Sequence, residues 1–310
     1  MSLDPKARAL LTAIAAAGEP SVMDLPLDAA RRMVEEGYDR MKIPLAPVAS
    51  MTDVAIPGPG GEIPLRIYRP EGEGPFPVVL FIHGGGWVFY RLNQYDAICT
   101  RLCRESQALV VSVDYRRAPD VKFPGATDEC LEAARCVAEQ CREWGGDPYR
   151  LFLCGDSSGG NLAAVTALRL RDEGGPGVRG QVLIYPVTDY YLPEKPSYAE
   201  FAEGYNITRE LMAWFWEQYL PSPEEASNPH AAPLQAADLS GLPPALLVVA
   251  GCDVLRDEAI DYARRLREAG GEAKVALYEG MIHGFLTFIG ILPDSEKAIR
   301  QAGEWIKARS

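Results

Sequence analysis

Several stretches of this sequence are unbroken runs of β-branched and other apolar residues. PVVLFI ends at Ile82, ALVVSV ends at Val113 and ALLVVA ends at Ala250, and each run is far too short to span a membrane as a helix. Strands that are buried on both faces read in this way, as in a parallel sheet covered by helices. Because segments with helical periodicity separate the runs, the sequence predicts one doubly wound α/β sheet.

The predicted strands are rich in valine, isoleucine, leucine and aromatic residues, and they lie at Ile63–Tyr68, Pro77–Ile82, Ala108–Val113, Leu151–Cys154, Gln181–Tyr185, Ala245–Ala250 and Ala273–Tyr278. The predicted helices of this alternation lie at Asn93–Glu105, Ala126–Trp144, Gly160–Asp172, Asp257–Ala269 and Asp294–Ala308. Two further segments do not follow the alternation. Residues 1 to about 50 are predicted to be helical before the first strand, and residues 188–225 contain the aromatic helix LMAWFWEQYL. These segments form either a lid over the sheet or additional packing in the outer helical layer.

Composition and charge exclude several classes of function. The 310 residues carry 31 Lys and Arg against 43 Asp and Glu, a net charge of −12. Such a surface repels phosphate backbones and anionic lipid, so we expect a small-molecule partner rather than a nucleic acid or a membrane. Three histidines, and seven cysteines without a Cys-x-x-Cys pair, offer little to build a zinc site, so no metal is expected.

The strongest local signal is GDSSGG at 155–160, which follows the apolar strand LFLC and precedes a helical pattern. In a Gly-x-Ser-x-Gly turn the strand reverses into a helix at one residue, and the serine is exposed in a strained conformation. Gly155 and Gly159 leave the space that side chains would fill. The helix that follows provides backbone N–H donors for a developing oxyanion. Ser157 is therefore the candidate nucleophile.

A second glycine-rich segment, HGGGW at 83–87, directly follows another predicted strand. Consecutive glycines let backbone N–H groups turn toward a ligand oxygen, as an oxyanion hole requires. His83 precedes the glycines, and this position favours a role in fixing the loop by hydrogen bonding over a role as catalytic base.

A serine nucleophile needs a histidine base and an acid that orients the base. On a turn of this kind the three residues follow the chain order serine, acid, histidine. His283, in the glycine-flanked GMIHGF, is preferred as the base over His230, which lies in a proline-rich surface segment. Asp253 follows the strand ALLVVAG and is the preferred acid, with Asp189 as the second candidate. Asp257 reads instead as a residue at a helix N-terminus.

Five motifs occur in a fixed order: HGGGW at 83–87, YRRAP at 115–119, GDSSGG at 155–160, CDVLRDE at 252–258 and MIHGF at 281–285. Together they resemble the bacterial hormone-sensitive-lipase-like carboxylesterases of the α/β-hydrolase superfamily. The resemblance covers nearly the whole chain. It implies an α/β-hydrolase fold with a mostly parallel central sheet, flanking helices and a helical cap.

Carried over position by position, the resemblance implies a triad of Ser157, Asp253 and His283. It places the oxyanion donors on the backbone N–H groups of Gly85, Gly86 and Ser158. It also implies the division of the chain, with an N-terminal part of the cap at 1–50, a first part of the core at 51–187, a cap insertion at 188–225 and a second part of the core at 226–310.

Three positions depart from the family pattern. Ser158 stands where alanine is common, Arg117 where leucine is usual and Asp120 where glutamate is usual. Ser158 offers its backbone N–H in either case. Arg117 is the larger change, and we expect it to alter the packing or polarity behind the nucleophile.

The function that the resemblance implies is hydrolysis of short- to medium-chain carboxylic esters through a covalent acyl-enzyme, without metal or organic cofactor. The same triad also attacks other carbonyls, so an amidase, an arylformamidase or a lactonase stays open. A non-catalytic ligand receptor is disfavoured by the presence of His283. If the insertion is a cap, its aromatic side chains line a closed apolar pocket, and the residues assigned to that pocket are Trp87, Trp214, Phe215 and Tyr219.

The N-terminus has a partial likeness to a signal peptide. Lys6 and Arg8 precede the apolar run Ala9–Ala17, but Asp4 interrupts the basic region and the run is poor in leucine. The similarity of LDPKARALL to the family's cap segments also argues against secretion. We therefore expect a cytoplasmic protein with buried, reduced cysteines, and a homodimer is left open.

Overall fold

Eight strands form one sheet in the computed structural model, which describes residues 2–310. The strand order is β1-β2-β4-β3-β5-β6-β7-β8, and β2 alone runs antiparallel to its neighbours. The strands are β1 (Ser50–Gly58), β2 (Gly61–Arg69), β3 (Phe76–Ile82), β4 (Leu109–Val113), β5 (Gly146–Asp156), β6 (Val178–Ile184), β7 (Ala245–Cys252) and β8 (Ala273–Ile282). The prediction of a mostly parallel central sheet is confirmed.

Nine α-helices accompany the sheet within the described residues. They are α1 (Pro5–Ala17), α2 (Leu27–Asp39), α3 (Leu92–Ser106), α4 (Gly125–Gln140), α5 (Ser158–Glu173), α6 (Pro196–Glu200), α7 (Arg209–Tyr219), α8 (Arg256–Glu268) and α9 (Pro293–Lys307). Helices α3 and α9 pack against each other, and so do α4 and α5. All residues of β3, β4 and β7 are buried, which explains why their sequences show continuous apolar runs rather than alternation.

The first strand, β1, was not predicted from the sequence. It is an edge strand, and most of its residues are exposed or half-buried, so its sequence SMTDVAIPG lacks an apolar run. Its proline is tolerated because a strand at the edge of a sheet has backbone N–H groups that need no partner strand. The other seven strands were predicted, with bounds that differ by a few residues.

The parallel strands bring four chain segments to one edge of the sheet. β5 ends directly before Ser157, β7 ends directly before Asp253 and β8 ends directly before His283. β3 ends directly before the segment 83–87. Since the carboxyl ends of parallel strands meet at the same edge, residues up to 200 positions apart in the chain become neighbours there.

The seven cysteines of the sequence are all buried, and none is paired in a disulfide within residues 2–310. Burial raises the pKa of the thiols of Cys99 and Cys130 well above its ordinary value. No helix within residues 2–310 combines the length and the hydrophobicity that crossing a membrane requires.

Candidate active site

Ser157 lies at the sharp turn between β5 and α5. Its backbone adopts φ +55° and ψ −122°, a conformation that residues other than glycine rarely adopt and that costs free energy. The turn also requires glycine at 159, because a Cβ there would overlap the backbone carbonyl of Ile82 at the end of β3. This strained turn presents the Ser157 side chain to the cavity above the sheet.

A continuous chain of hydrogen bonds joins three side chains at this edge. The Oγ of Ser157 lies 2.9 Å from Nε2 of His283. The Nδ1 of the same imidazole lies 2.7 Å from Oδ2 of Asp253. Asp253 is 1% exposed, and its other oxygen accepts a hydrogen bond from the backbone N–H of Leu255 at 3.0 Å. The buried carboxylate is therefore held in place and in turn fixes the orientation of the imidazole.

The other candidates from the sequence lie outside this chain. Asp189 forms an ion pair with Lys195 at 3.3 Å and accepts a hydrogen bond from the amide of Gln235 at 2.6 Å. Asp257 lies in the first turn of α8, as expected. His230 is half-buried. Desolvation lowers the pKa of its imidazole, and the charge of Arg169 lowers it further.

The glycine-rich segment lies beside Ser157. Gly85 and Gly86 have φ of +107° and +61°, and both line the cavity together with Ser157. The carbonyl of Gly85 accepts hydrogen bonds from the backbone N–H groups of Val88 at 3.1 Å and Phe89 at 2.9 Å, which closes the segment into a tight turn. The glycines of this tight turn therefore border the same cavity as the candidate nucleophile.

Asp156, which precedes the nucleophile, is a buried carboxylate that sequence reasoning did not single out. It accepts hydrogen bonds from the N–H of Gly84 at 2.9 Å and from the hydroxyl of Tyr95 at 3.0 Å. The hydroxyl of Tyr185 lies 3.4 Å from Oδ2 of Asp156, the carboxylate oxygen that accepts the hydrogen bond from Tyr95. Burial raises the pKa of Asp156 to about 6, against the lowering effect of these hydrogen bonds. The carboxylate thus joins the start of the glycine loop to the nucleophile turn.

His83 is also buried, and its place in the loop agrees with the sequence interpretation. Its Nδ1 lies 2.8 Å from the carbonyl oxygen of Gly84, and its ring stacks on Tyr115 at 4.4 Å between centroids. Desolvation lowers the pKa of His83 to about 4. The imidazole therefore stays neutral at physiological pH and serves as a packed, hydrogen-bonded support.

Known proteins resemble this chain over most of its length. The family described as alpha/beta hydrolase fold matches residues 79–287. The chain is 43% identical over 242 residues to the carboxylic ester hydrolase LipN of Mycobacterium tuberculosis, a match that covers 76% of this chain and 64% of that protein. It is 34% identical to the ethyl acetate hydrolase of Pseudomonas putida, with 96% of each chain covered.

A solved structure shows the same fold over almost the full length. The hyperthermophilic esterase from the archaeon Pyrobaculum calidifontis superposes with a TM-score of 0.96 at 41% identity, and 99% of each chain is covered. The chain belongs to the hormone-sensitive-lipase-like carboxylesterases of the α/β-hydrolase superfamily.

The cavity of this esterase has a volume of about 240 Å³ and a mostly apolar wall. Its wall combines the sheet edge with side chains from the segments predicted to form the cap. Besides the residues already described, the lining consists of Val22, Val34, Phe89, Tyr90, Ile207, Leu211, Phe215, Asn206, Gly284, Thr287 and Phe288.

Three of the four predicted pocket residues need correction. Trp87 and Tyr219 are fully buried and stack on each other at 4.2 Å between centroids, so they form the core behind the glycine loop rather than the cavity wall. Trp214 stacks on Phe89 at 6.0 Å and is not among the described residues that line the cavity. Phe215 does line it.

Leu211, which sequence reasoning did not assign to the pocket, has a detectable signal on α7. Leu211 and Phe215 lie four residues apart, so they occupy the same face of the helix and both line the cavity. Trp216 and Tyr219 occupy another face and are buried against Trp87. The sequence carried no such signal for Asn206, whose amide donates to the carbonyl of His283 at 3.0 Å.

The three departures from the family pattern have clear contacts. The hydroxyl of Ser158 accepts a hydrogen bond from the backbone of the glycine loop. Arg117 and Asp120 do not contact the nucleophile turn but pair with Glu35 and Arg31 of α2. The packing against the nucleophile turn that was expected of Arg117 is therefore not seen, since its guanidinium contacts α2 and the carbonyl of Tyr90 instead.

The sequence offers little from which to build a metal site. Within residues 2–310 no three His, Cys, Asp or Glu side chains come together in an arrangement that could hold a metal ion.

Proposed function

We propose that this esterase hydrolyses short- to medium-chain carboxylic esters through Ser157, His283 and Asp253. The observation that carries the proposal is the chain of hydrogen bonds from Ser157 through His283 to Asp253, at 2.9 and 2.7 Å, beside a cavity. Both distances lie within the range that proton transfer between a nucleophile and its base requires.

In the first half of the reaction, Oγ of Ser157 attacks the ester carbonyl carbon while its proton moves to Nε2 of His283. Asp253 holds the imidazole tautomer and stabilises the imidazolium. The negative oxygen of the tetrahedral intermediate accepts hydrogen bonds from the backbone N–H groups of Gly85, Gly86 and Ser158. The bond to the leaving oxygen then breaks, and His283 returns the proton to the departing alcohol.

In the second half, water attacks the acyl carbon and gives its proton to His283. The tetrahedral intermediate collapses, the bond to Oγ breaks, and Ser157 recovers the proton as the carboxylic acid leaves. Each half uses the same base and the same backbone donors, so the chemistry needs only groups of this chain.

The size of the cavity supports the assignment to short and medium acyl chains. Its volume of about 240 Å³ lies below the range typical of pockets for drug-sized ligands, and its lining is mostly apolar. With nitrophenyl esters from acetate to palmitate, we expect kcat/KM to peak between butyrate and octanoate. A steady rise through palmitate would reassign the protein as a lipase.

The decisive experiment is labelling with a fluorophosphonate, followed by intact-mass measurement and peptide mapping. An activated serine displaces fluoride and gains one phosphonyl group. We expect a single adduct on Ser157 that is absent in Ser157→Ala. A panel of esters, anilides, formanilides and lactones then separates the ester hydrolase from an amidase, an arylformamidase or a lactonase. Folded protein without an adduct would overturn the triad and favour a receptor.

We also propose that the chain works in the cytoplasm. Its seven buried, unpaired cysteines support a reducing compartment, because oxidising compartments favour disulfides. Fractionation of the native host with an antibody tests the location.

A further inference from the structure

Two arginines join α2 to the core at a place next to the glycine loop. The first, Arg31, is on α2 itself and is 8% exposed. Its guanidinium donates to the backbone carbonyl of Val88 at 3.1 Å and to that of Ala118 at 2.9 Å. It also forms an ion pair with Asp120 at 2.7 Å. A buried guanidinium with three partners fixes the helix in one position.

The second arginine, Arg117, belongs to the core and contacts α2, whereas Arg31 belongs to α2 and contacts the core. It forms an ion pair with Glu35 of α2 at 2.5 Å and donates to the backbone carbonyl of Tyr90 at 3.2 Å. The side chain of Arg117 is 9% exposed and that of Glu35 is 22% exposed, so water screens this pair only partly. Such a pair adds little to stability but holds both partners in a defined geometry.

The Arg117–Glu35 pair lies directly beside two residues of the cavity wall. Val34 precedes Glu35 on α2, and Tyr90 offers the carbonyl that Arg117 holds; both line the cavity. Tyr90 has φ +67°, a left-handed conformation that a bulky residue keeps only when its surroundings enforce it. The hydrogen bond from Arg117 is one of the contacts that do so.

Val34 and Tyr90 also line a second, larger space. This groove has a volume of about 960 Å³ and is bounded by α1, by α2 and by the segment after His283. Seven residues belong to the walls of both spaces, so the cavity and the groove adjoin at these residues: Val22, Val34, Tyr90, Asn206, Leu211, Thr287 and Phe288.

We propose that the Arg117–Glu35 pair is a specificity-determining device of this esterase. By holding Val34 and Tyr90, it sets the width of the passage between cavity and groove, and so limits the length of the substrate arm that fits. The proposal rests on the ester hydrolysis proposed above. Arg117 is a positioning residue, since it acts on substrate through Tyr90 and Val34.

The test compares kcat/KM for nitrophenyl acetate and nitrophenyl octanoate. Without the guanidinium, Tyr90 and Val34 move apart and the passage widens. We therefore expect Arg117→Leu to raise the octanoate-to-acetate ratio about fivefold, a modest part of what a few methylenes contribute in an apolar pocket. Glu35→Gln weakens the same pair and shifts the ratio in the same direction by less. Arg117→Lys keeps the charge and lies between wild type and Arg117→Leu.

The matched control is Arg135→Ala. It breaks the ion pair between Arg135 and Glu173, at 2.7 Å, which joins α4 to α5 and involves no residue that lines the cavity. We expect its ratio to stay at the wild-type value. Labelling of Ser157 by fluorophosphonate counts the competent sites in each variant, so that loss of folded protein is separated from a change in specificity.

An unchanged ratio in folded Arg117→Leu would overturn the proposal, and so would an equal loss with both esters, which a merely structural role predicts. If Arg117→Leu does not fold, Glu35→Gln decides by the same criterion. Failure of the proposed function would look different, because the wild type itself would then hydrolyse neither ester.

Discussion

The hydroxyl of Ser158 accepts a hydrogen bond from the backbone N–H of Trp87 at 3.1 Å. Ser158 follows the nucleophile, and Trp87 follows the two glycines of the loop, so this bond joins the two sources of the proposed oxyanion donors. Both residues are fully buried. A side chain at position 158 thus aligns the loop with the nucleophile turn, in addition to the N–H that the same residue offers.

We expect Ser158→Ala to lower kcat about tenfold with little change in KM. The substitution leaves a buried N–H without its partner, at a cost of about 1–3 kcal/mol, and frees the loop to move away from the oxyanion. Steady-state kinetics with nitrophenyl butyrate measures the effect. The control is Ser106→Ala, which removes a buried hydroxyl bonded to the carbonyl of Leu102 in α3. Equal kcat in both variants would remove Ser158 from this role.

Asp253→Asn should reduce kcat by roughly 10³–10⁴-fold, by analogy with triads in which an amide imposes the wrong imidazole tautomer. Asp189→Asn serves as control, since Asp189 contacts Lys195 and Gln235 rather than His283. We expect that variant to keep its rate within a factor of about three, as for a residue outside the reacting groups. The reverse result would assign the acid to Asp189.

Gly86→Ala should abolish most activity. A Cβ at position 86 would overlap the ring of Phe215 on α7, so either the loop or the helix must move. We expect a loss of roughly 10²-fold in kcat, the cost of misplacing one oxyanion donor.

Two further variants separate this overlap from backbone strain. Gly18→Ala is the matched control, because Gly18 has φ +63° with nothing within 4 Å of its Cβ position. Gly86→Ala/Phe215→Ala restores space and should regain part of the rate. A double variant as inactive as the single one would mean that strain at position 86, rather than the overlap, causes the loss.

His83 and Asp156 should change the stability of the fold in opposite directions as the pH falls. His83 has a pKa of about 4 when folded and near 6.5 when unfolded, so its contribution is present above pH 6.5 and is lost as the pH falls toward 4. Asp156 has a pKa of about 6 when folded and near 3.9 when unfolded. Its contribution is present below about pH 4 and is lost as the pH rises through 6.

Removing one of the two groups should therefore reveal the pH dependence of stability that the other contributes. On going from pH 7 to pH 5, we expect Asp156→Asn to lose about 3 kcal/mol more unfolding free energy than His83→Gln, because the first variant keeps only the loss at His83 and the second only the gain at Asp156. Urea denaturation at both pH values measures the two slopes, and all other titrating groups are common to the pair. Equal slopes in the two variants would show that one of the two groups is not buried as described.

Most of the elements, and the convergence of Ser157, His283 and Asp253, were predictable because their signals are local. The glycines around Ser157 and the apolar runs before Asp253 and His283 each reflect a requirement of their own segment. The residues of the cavity wall were not predictable in this way, because burial alone does not say which space an aromatic ring faces. Trp87 and Tyr219 stack in the core, whereas Phe215, which lies on α7 together with Tyr219, lines the cavity.

The contacts of Arg117 could not be predicted from the sequence for a related reason. Its partner Glu35 lies 82 positions earlier, and no pattern in either segment indicates the other. Likewise, Asn206 and Phe288 line the cavity only because the fold brings their segments over the sheet edge. Residues whose role depends on long-range packing leave no periodic signal.

The burial of every thiol has a practical consequence for following motion in this esterase. Since no native cysteine is exposed, a cysteine introduced at the surface becomes the one group that a maleimide or a methanethiosulfonate can reach. Ile14 on α1 is 45% exposed and Tyr149 at the far end of β5 is 77% exposed. Spin labels at these two positions would report, through their distance distribution, whether the N-terminal helices stay docked when an inhibitor fills the site.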